Sequence, residues 1–448
     1  MVFNTRGLIL GATAVAVTTV AVTGAGLHLS KSQAFFSDSP KELIDEVWQI
    51  IDRQYVDATF NQVDWRAVRS EYLEDRNYEN RQEAYEAIRE MLKELEDPYT
   101  RFMNPEEFQN MQIDTSGELT GVGIQIAEDE ETDRLIVVSP IEDSPAYDAG
   151  ILAKDIIHKI DGQDTVGMDV NEAVQLIRGE EGSEVTLTIK RGEQEIDYPI
   201  TRAKIEIHPV KARIENTDLG SVGYIRLNQF NANAAKDMRE AIAEQEEENV
   251  VGYILDLRSN PGGLLYASIE IARMWLEDGT IVSTVDRQGE VDRQVANSRA
   301  ITDKPLVVLI DGGSASASEI LSGALQDNER ATLVGTQTFG KGLVQSVRPL
   351  ADGSGLAVTI AKYLTPSGRD INKEGITPDI IFELSEDQRK QLQTNNSEIG
   401  TMDDPQFAKA IEVLSKEVMA QDGVEGVQVE AEAISPNSHE AIPSTISN

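Results

Sequence analysis

Apolar and polar positions along the chain follow two periods. Over residues 40 to about 113 the spacing is helical. In KELIDEVWQIIDRQYVD, Leu43, Ile44, Val47, Ile50 and Ile51 fall on one face. In EAYEAIREMLKELED, Ala84, Ile88, Met91, Leu92 and Leu95 do the same, and the pattern stops before Pro98. From about Gly117 the period shortens to two. GVGIQIAEDEETDRLIVVSPI alternates on both sides of an acidic turn, DIIHKIDGQ ends at a glycine turn, and EVTLTIKRGEQEIDYPI reads as a hairpin turning at Arg191-Gly192-Glu193. A short helix from Asp169 to Ile177, with Asp169 or Asn171 as its cap, interrupts this β-rich module of roughly 90 residues. From about His208 to Leu384, strands (SVGYIRL, VVGYILDLR, PLVVLID) alternate with helices (AAKDMREAIAEQEEE, LLYASIEIARMWLED, ASEILSGALQD). PLVVLID is almost purely apolar, as a strand buried on both faces must be. The region is therefore α/β, with functional groups expected where strands end and helices begin. From about Ser385 the chain turns polar and acidic, with one helix expected in FAKAIEVLSKEVM and a flexible tail beyond it.

Composition narrows the function. At 448 residues the chain holds two to four domains. Its 40 basic against 78 acidic residues leave a net charge of −38, which repels nucleic acid. There is no cysteine, so disulfides, thiolate catalysis and cysteine-based metal sites are excluded. The N-terminus has a basic residue, Arg6, then an uncharged apolar run from Leu8 to Leu27, then a small-x-small site at Ser32-Gln33-Ala34. This reads as an export signal cut after Ala34 or as an uncleaved anchor, since about 20 apolar residues can span a bilayer. Either way the remainder lies outside the cytoplasm, and an uncleaved segment would tie it to the membrane.

The chemistry centres on VVLIDGGSASASEILSGALQ, where a buried strand meets a helix. Ser316 with Glu319 fits the S-x-x-E capping box, which gives the serine a purely structural role. The same position also puts a hydroxyl at the positive end of a helix, beside the amide of Ala317. A nucleophilic serine needs a base. Of the four histidines, His28 lies in the signal, His439 in the tail and His158 on an outward strand position, which leaves His208 at the interdomain junction. Lysine serves as base when burial keeps it neutral. In TQTFGKGLVQS, Lys341 stands among glycines with Phe339, Leu343 and Val344 nearby, and Gln345 follows it. A lone lysine in such a turn reads equally as a solvated surface group. In LDLRSNPGGLL the paired Gly262 and Gly263 allow a backbone to approach a ligand closely, or form an ordinary strand-to-helix turn.

Taken together, LDLRSNPGG, IDGGSASASEI and GTQTFGKGLVQ in that order, with DPYTRF upstream, resemble the carboxyl-terminal processing (tail-specific) proteases, the S41 serine–lysine peptidases. The resemblance covers residues 40–384. It implies a multidomain α+β fold with a signal peptide (1–34), an N-terminal helical domain (40–113), a PDZ domain (117–205), an α/β serine-protease core of the crotonase/Clp-like type (208–384) and an acidic C-terminal tail (385–448). Ser316 is then the nucleophile, Lys341 the general base and Gln345 the residue orienting the lysine. Ala317 and Gly262 lend oxyanion-hole amides, and Glu319 supports the nucleophile. In the PDZ domain, Gly121-Val122-Gly123-Ile124 forms the carboxylate-binding loop. Val122, Ile124, Ala173 and Ile177 line a pocket for an apolar terminal side chain, and Arg178 couples peptide binding to activation. The family usually has Gly-Asp where this chain has Lys154-Asp155.

The implied activity is an exported serine endopeptidase that recognises the C-terminus of polypeptides and cleaves near it through an acyl-enzyme, with no cofactor or metal. The helical segment is similar to the cyanobacterial and chloroplast-lumen branch, which implies a periplasmic or thylakoid-lumen location, or the outer face of the inner membrane. It also makes the photosystem II D1 precursor a candidate substrate. Two rival readings are a catalytically idle PDZ adaptor or chaperone for exported tails, and a serine–histidine esterase using His208.

Overall fold

The α/β pattern converges on a six-stranded sheet in the order Val210–Thr217, Gly220–Leu227, Tyr253–Asp256, Leu306–Ile310, Thr332–Gly335 and Ile380–Ile381. The first pair is antiparallel and the others run parallel. The computed structural model describes residues 39–129 and 132–421. The expected signal segment with its cut after Ala34, His28, His439 and the end of the tail lie outside these residues.

Leu306–Ile310 sits inside the sheet and shows why its sequence is wholly apolar. Leu306, Val308 and Ile310 pack with the helices Ala234–Glu247, Leu265–Trp275 and Ala317–Asp327, whereas Val307 and Leu309 face the opposite layer. That opposite layer is built by the first part of the expected tail. Residues 386–421 carry the helices Glu386–Thr394 and Pro405–Gln421, and Phe407, Ala410, Val413 and Leu414 of the second close the far face of the sheet. A strand that is apolar on both faces demands two covering layers, and the region up to Leu384 supplies only one of them.

The helical region packs directly against this body. Helices Pro40–Gln54 and Arg81–Lys93 bury the expected apolar faces, but their core continues into Leu350, Leu356 and Val358. The short strand Arg101–Met103 pairs with Gly355–Leu364, in a second, antiparallel sheet that also contains Thr280–Asp286, Gly289–Val295 and Leu343–Pro349. The DPYTRF segment is thereby carried against the strands that follow Lys341.

The β-rich module is an excursion from this body. Glu118–Gly121 pairs antiparallel with Ala203–Glu206 to form a stem, closed by Ile207 N–H donating to the Gly117 carbonyl at 2.7 Å. Above the stem, strands run in the order Ile124–Asp129, Arg134–Pro140, Ile156–Ile160, Glu184–Arg191, Gln194–Thr201, and the helix Val170–Ile177 is capped by Asp169 through Glu172 N–H at 2.9 Å. Lys154 holds φ 70°, a glycine-favouring conformation, where Asp155 receives the Leu152 amide and pairs with Arg191 at 2.6 Å. Among the described residues no helix is long and apolar enough to cross a membrane.

Candidate active site

The turn from Asp311 to Ser316 answers which of its serines is free to react. Ser314 donates to the Leu257 carbonyl at 2.8 Å and accepts from Asp311 N–H at 3.0 Å. Ser318 donates to the Asn260 carbonyl at 2.9 Å. Both hydroxyls are thus committed to holding the 257–260 loop in place. Ser316 is also fully buried, yet among the described residues its hydroxyl has no hydrogen-bond partner. A buried hydroxyl left unmatched costs stability and points to a functional reason for keeping it. Its backbone sits at φ 55°, ψ −110°, a conformation that non-glycine residues seldom hold outside functional turns.

Glu319 ties this turn to the lysine loop. Its carboxylate accepts from Ser316 N–H at 2.8 Å, Lys341 N–H at 2.9 Å, Gly340 N–H at 2.7 Å and the Thr338 hydroxyl at 2.5 Å. One Glu319 oxygen, Oε2, therefore holds the backbones of both Ser316 and Lys341. Burial raises the Glu319 carboxyl above its usual range, and the four donors oppose that shift. Tyr363, equally buried, repeats the link: its hydroxyl donates to the carbonyls of Ser316 and Lys341.

Lys341 is only 5% exposed, which contradicts a solvated surface role. Burial, followed by the charge of Arg101, lowers its amine to about 8, while Asp97 and Glu319 pull the other way. The Nζ lies 4.9 Å from the centre of the Tyr99 ring. Gln345 is buried on the strand after Lys341 and donates to Thr359 Oγ1 at 3.4 Å. Thr359 in turn donates to Asp97 Oδ2 at 2.7 Å, as does Thr100. Asp97, Tyr99 and Arg101 thus surround the lysine, although in the sequence they served only as part of a motif. Tyr363 was missed altogether, because a tyrosine in an apolar strand reads as core.

Gly262 approaches the serine as closely as backbone allows. A Cβ there would lie 2.6 Å from the Ala315 carbonyl oxygen and 2.9 Å from the Ala317 nitrogen, and φ is +98°. Its amide, however, donates to Asn260 Oδ1 at 2.9 Å, so it is not a free donor in this conformation. Ala317 opens its helix, where the amide has no intrahelical carbonyl to bind.

The module's rim has a different construction. The Val122 carbonyl accepts from Ala146 N–H at 2.8 Å and the Gly123 carbonyl from Ile141 N–H at 2.9 Å. In trans peptides this turns the amides of Gly123 and Ile124 to the opposite side. Gly123 takes φ +83°, and a Cβ on it would lie 2.3 Å from that of Ser144. Gly121 closes the stem opposite Ala203. Ile124–Asp129 is an edge strand beside the helix Val170–Ile177. Val122, Ala173 and Ile177 are buried in the module's core, so of the four expected pocket residues Ile124 presents the most surface. Arg178 donates to Asn110 Oδ1 at 3.0 Å, on the helix Pro105–Ser116 that follows the strand Arg101–Met103. Burial lowers its guanidinium below the usual value. His208 is half exposed and paired with Asp237 at 3.0 Å.

Comparison with known proteins accounts for this layout. Residues 221–382 match the family described as peptidase family S41, residues 136–191 a PDZ domain, and residues 37–93 a tricorn protease C1 domain. A carboxyl-terminal-processing protease of Synechocystis sp. is 45% identical over 419 residues, covering 92% of this chain and 96% of its own. The chloroplastic carboxyl-terminal-processing peptidase 2 of Arabidopsis thaliana is 44% identical, over 75% of this chain and 67% of its own. Among solved structures, a photosystem II D1 C-terminal processing protease superposes with TM-score 0.53 at 38% identity, covering 78% of this chain and 94% of that one. With its buried serine and lysine loops, its PDZ module and relatives of this identity, the chain belongs to peptidase family S41, among the carboxyl-terminal-processing serine proteases.

Proposed function

We propose that the protein is an exported endopeptidase that captures the free C-terminus of a polypeptide on its PDZ module and cleaves upstream with a Ser316–Lys341 dyad. The observation carrying this reading is the pairing of an unpartnered buried hydroxyl with a lysine lowered to about 8, both held by Glu319. Neutral Lys341 removes the Ser316 proton as the oxygen attacks the peptide carbonyl, then returns it to the leaving amine. Gln345, steadied through Thr359 and Asp97, orients the amine. The Ala317 amide stabilises the oxyanion, joined by that of Gly262 once Asn260 releases it. Water then hydrolyses the acyl-enzyme.

The outward amides of Gly123 and Ile124 receive the terminal carboxylate, and the edge strand Ile124–Asp129 adds the peptide as a further strand. The Arg178–Asn110 contact connects that capture to the strand bearing Arg101. Cyanobacterial and chloroplast relatives support a periplasmic or thylakoid-lumen location and make the D1 precursor a candidate substrate. The test uses the chain from Phe35 and its Lys341→Ala variant, each given a peptide with an apolar free C-terminus and the same peptide amidated. Cleavage by the first protein alone, faster for the free carboxylate, is expected. Equal cleavage of both peptides would remove the tail-recognition step, and cleavage by both proteins would remove the lysine base.

A further inference from the structure

Behind the catalytic turn lies a cavity of about 640 Å³ between the strand ends of the parallel sheet and the helix Glu386–Thr394. Ser259, Asp311 and Gly312 line it. The same two loops carry, on their other side, Gly262 against Ser316 and Ala317. The nucleophile and the cavity thus share their walls.

Three arginines border this space, and their circumstances differ. Arg258 is fully engaged by Asp256, Asp404 and Gln406. Among the described residues Arg389 uses only its Nε, on the Leu384 carbonyl at 3.1 Å. Arg226 makes no hydrogen bond or ion pair among the described residues, and its Nε is enclosed without a partner. In a chain with 78 acidic side chains, a half-buried guanidinium with no hydrogen-bonded carboxylate is costly to keep. The carboxylates nearby do not bind it directly: Asp256, opposite it on the neighbouring strand, acts on Arg226 through its charge but is hydrogen-bonded by Arg258 and Tyr224. Asp311 is taken up by the amides of Ser259 at 2.7 Å and Gly313 at 2.9 Å, and Glu383 is exposed on the rim. Leu384 and Leu392 add apolar wall. A planar guanidinium fork matches a carboxylate with two parallel hydrogen bonds.

We propose that this cavity is a docking subsite for an acidic side chain of a bound polypeptide substrate, in which Arg226, assisted by Arg389, binds its glutamate or aspartate carboxylate. The proposal rests on the protease reading and adds a sequence preference separate from the PDZ module's hold on the terminus.

Binding to the full chain carrying Ser316→Ala, followed by fluorescence anisotropy, separates the two. One labelled peptide has glutamates near its centre and an amidated terminus, its control has glutamines there, and a third peptide is neutral with a free terminus. The acidic peptide should bind roughly tenfold more tightly than its control, and Arg226→Gln should abolish the difference while leaving the third peptide unaffected. Arg389→Gln, at an exposed helical position, should give a smaller loss in the same direction without changing the unfolding midpoint. With the wild-type active site, the preference should enter through KM with kcat unchanged. Equal binding of acidic and neutral peptides, or an unaltered preference in Arg226→Gln, would overturn the proposal. Loss confined to the free-terminus peptide would assign the cavity to terminal carboxylates instead and overturn it as well. Failure of the wild type to cleave any peptide would sink the protease reading without touching these binding results.

Discussion

The turn bearing Ser316 and the PDZ rim bearing Gly123, both proposed above to offer backbone amides to a ligand, are built in opposite ways. Around Ser316 the polar side chains are buried and committed to one another: Ser314 and Ser318 hold the neighbouring loop, and Glu319 takes four donors. At the rim, the carbonyls of Val122 and Gly123 are tied inward, and the amides of Gly123 and Ile124 face away beside an edge strand. Bond cleavage needs atoms fixed to a fraction of an ångström, whereas capture of varied peptides needs an accessible edge. Damage at the turn should therefore lower kcat, and damage at the rim should raise KM.

The largest effect expected is that of Lys341→Ala, which should lower kcat on the order of 10⁴-fold with a normal circular-dichroism melt, because a buried ammonium contributes little to stability. Glu319→Gln comes next. It leaves fewer acceptors for four buried donors, so unfolding should become easier by about 3 kcal/mol, and kcat should drop roughly 100-fold at unchanged KM. Arg101→Gln sharpens the electrostatic half of the comparison. Arg101 disfavours the charged amine of Lys341, so its removal should move the acid limb of the kcat/KM profile above its wild-type midpoint near 8, and activity at neutral pH should fall. At the rim, Gly123→Ala forces a Cβ onto Ser144 at a positive φ and should raise KM for a free-carboxylate peptide roughly tenfold while sparing kcat. An equal fall in kcat would erase the distinction between the two regions. The smallest effect is that of Lys154→Gly, which relieves a positive φ and should stabilise the module by up to about 1 kcal/mol in a thermal melt.

Much of this was legible in the chain because it is local. The helical faces of 40–54 and 81–93, the hairpin at Gly192 and the apolar strand before Ser316 each announce themselves within a dozen residues. What stayed hidden was long-range. No periodicity shows that Arg101–Met103 pairs with Gly355–Leu364, or that Asp97 reaches Gln345 through Thr359. The helix Pro405–Gln421 was expected as an element, but its role as the second cover of the sheet follows only from the topology. Gly262 illustrates the limit from the other side: its proximity to Ser316 fits the motif, while the capture of its amide by Asn260 is visible only in three dimensions.

The most direct measurement is peptide cleavage by Ser314→Ala, Ser316→Ala and Ser318→Ala side by side. Because, of the three, only the Ser316 hydroxyl makes no hydrogen bond among the described residues, Ser316→Ala should be inactive but fully folded. The other two should retain measurable kcat, lowered by the loosened loop, and melt earlier. Residual turnover by Ser316→Ala comparable to that of its neighbours would contradict its assignment as the nucleophile.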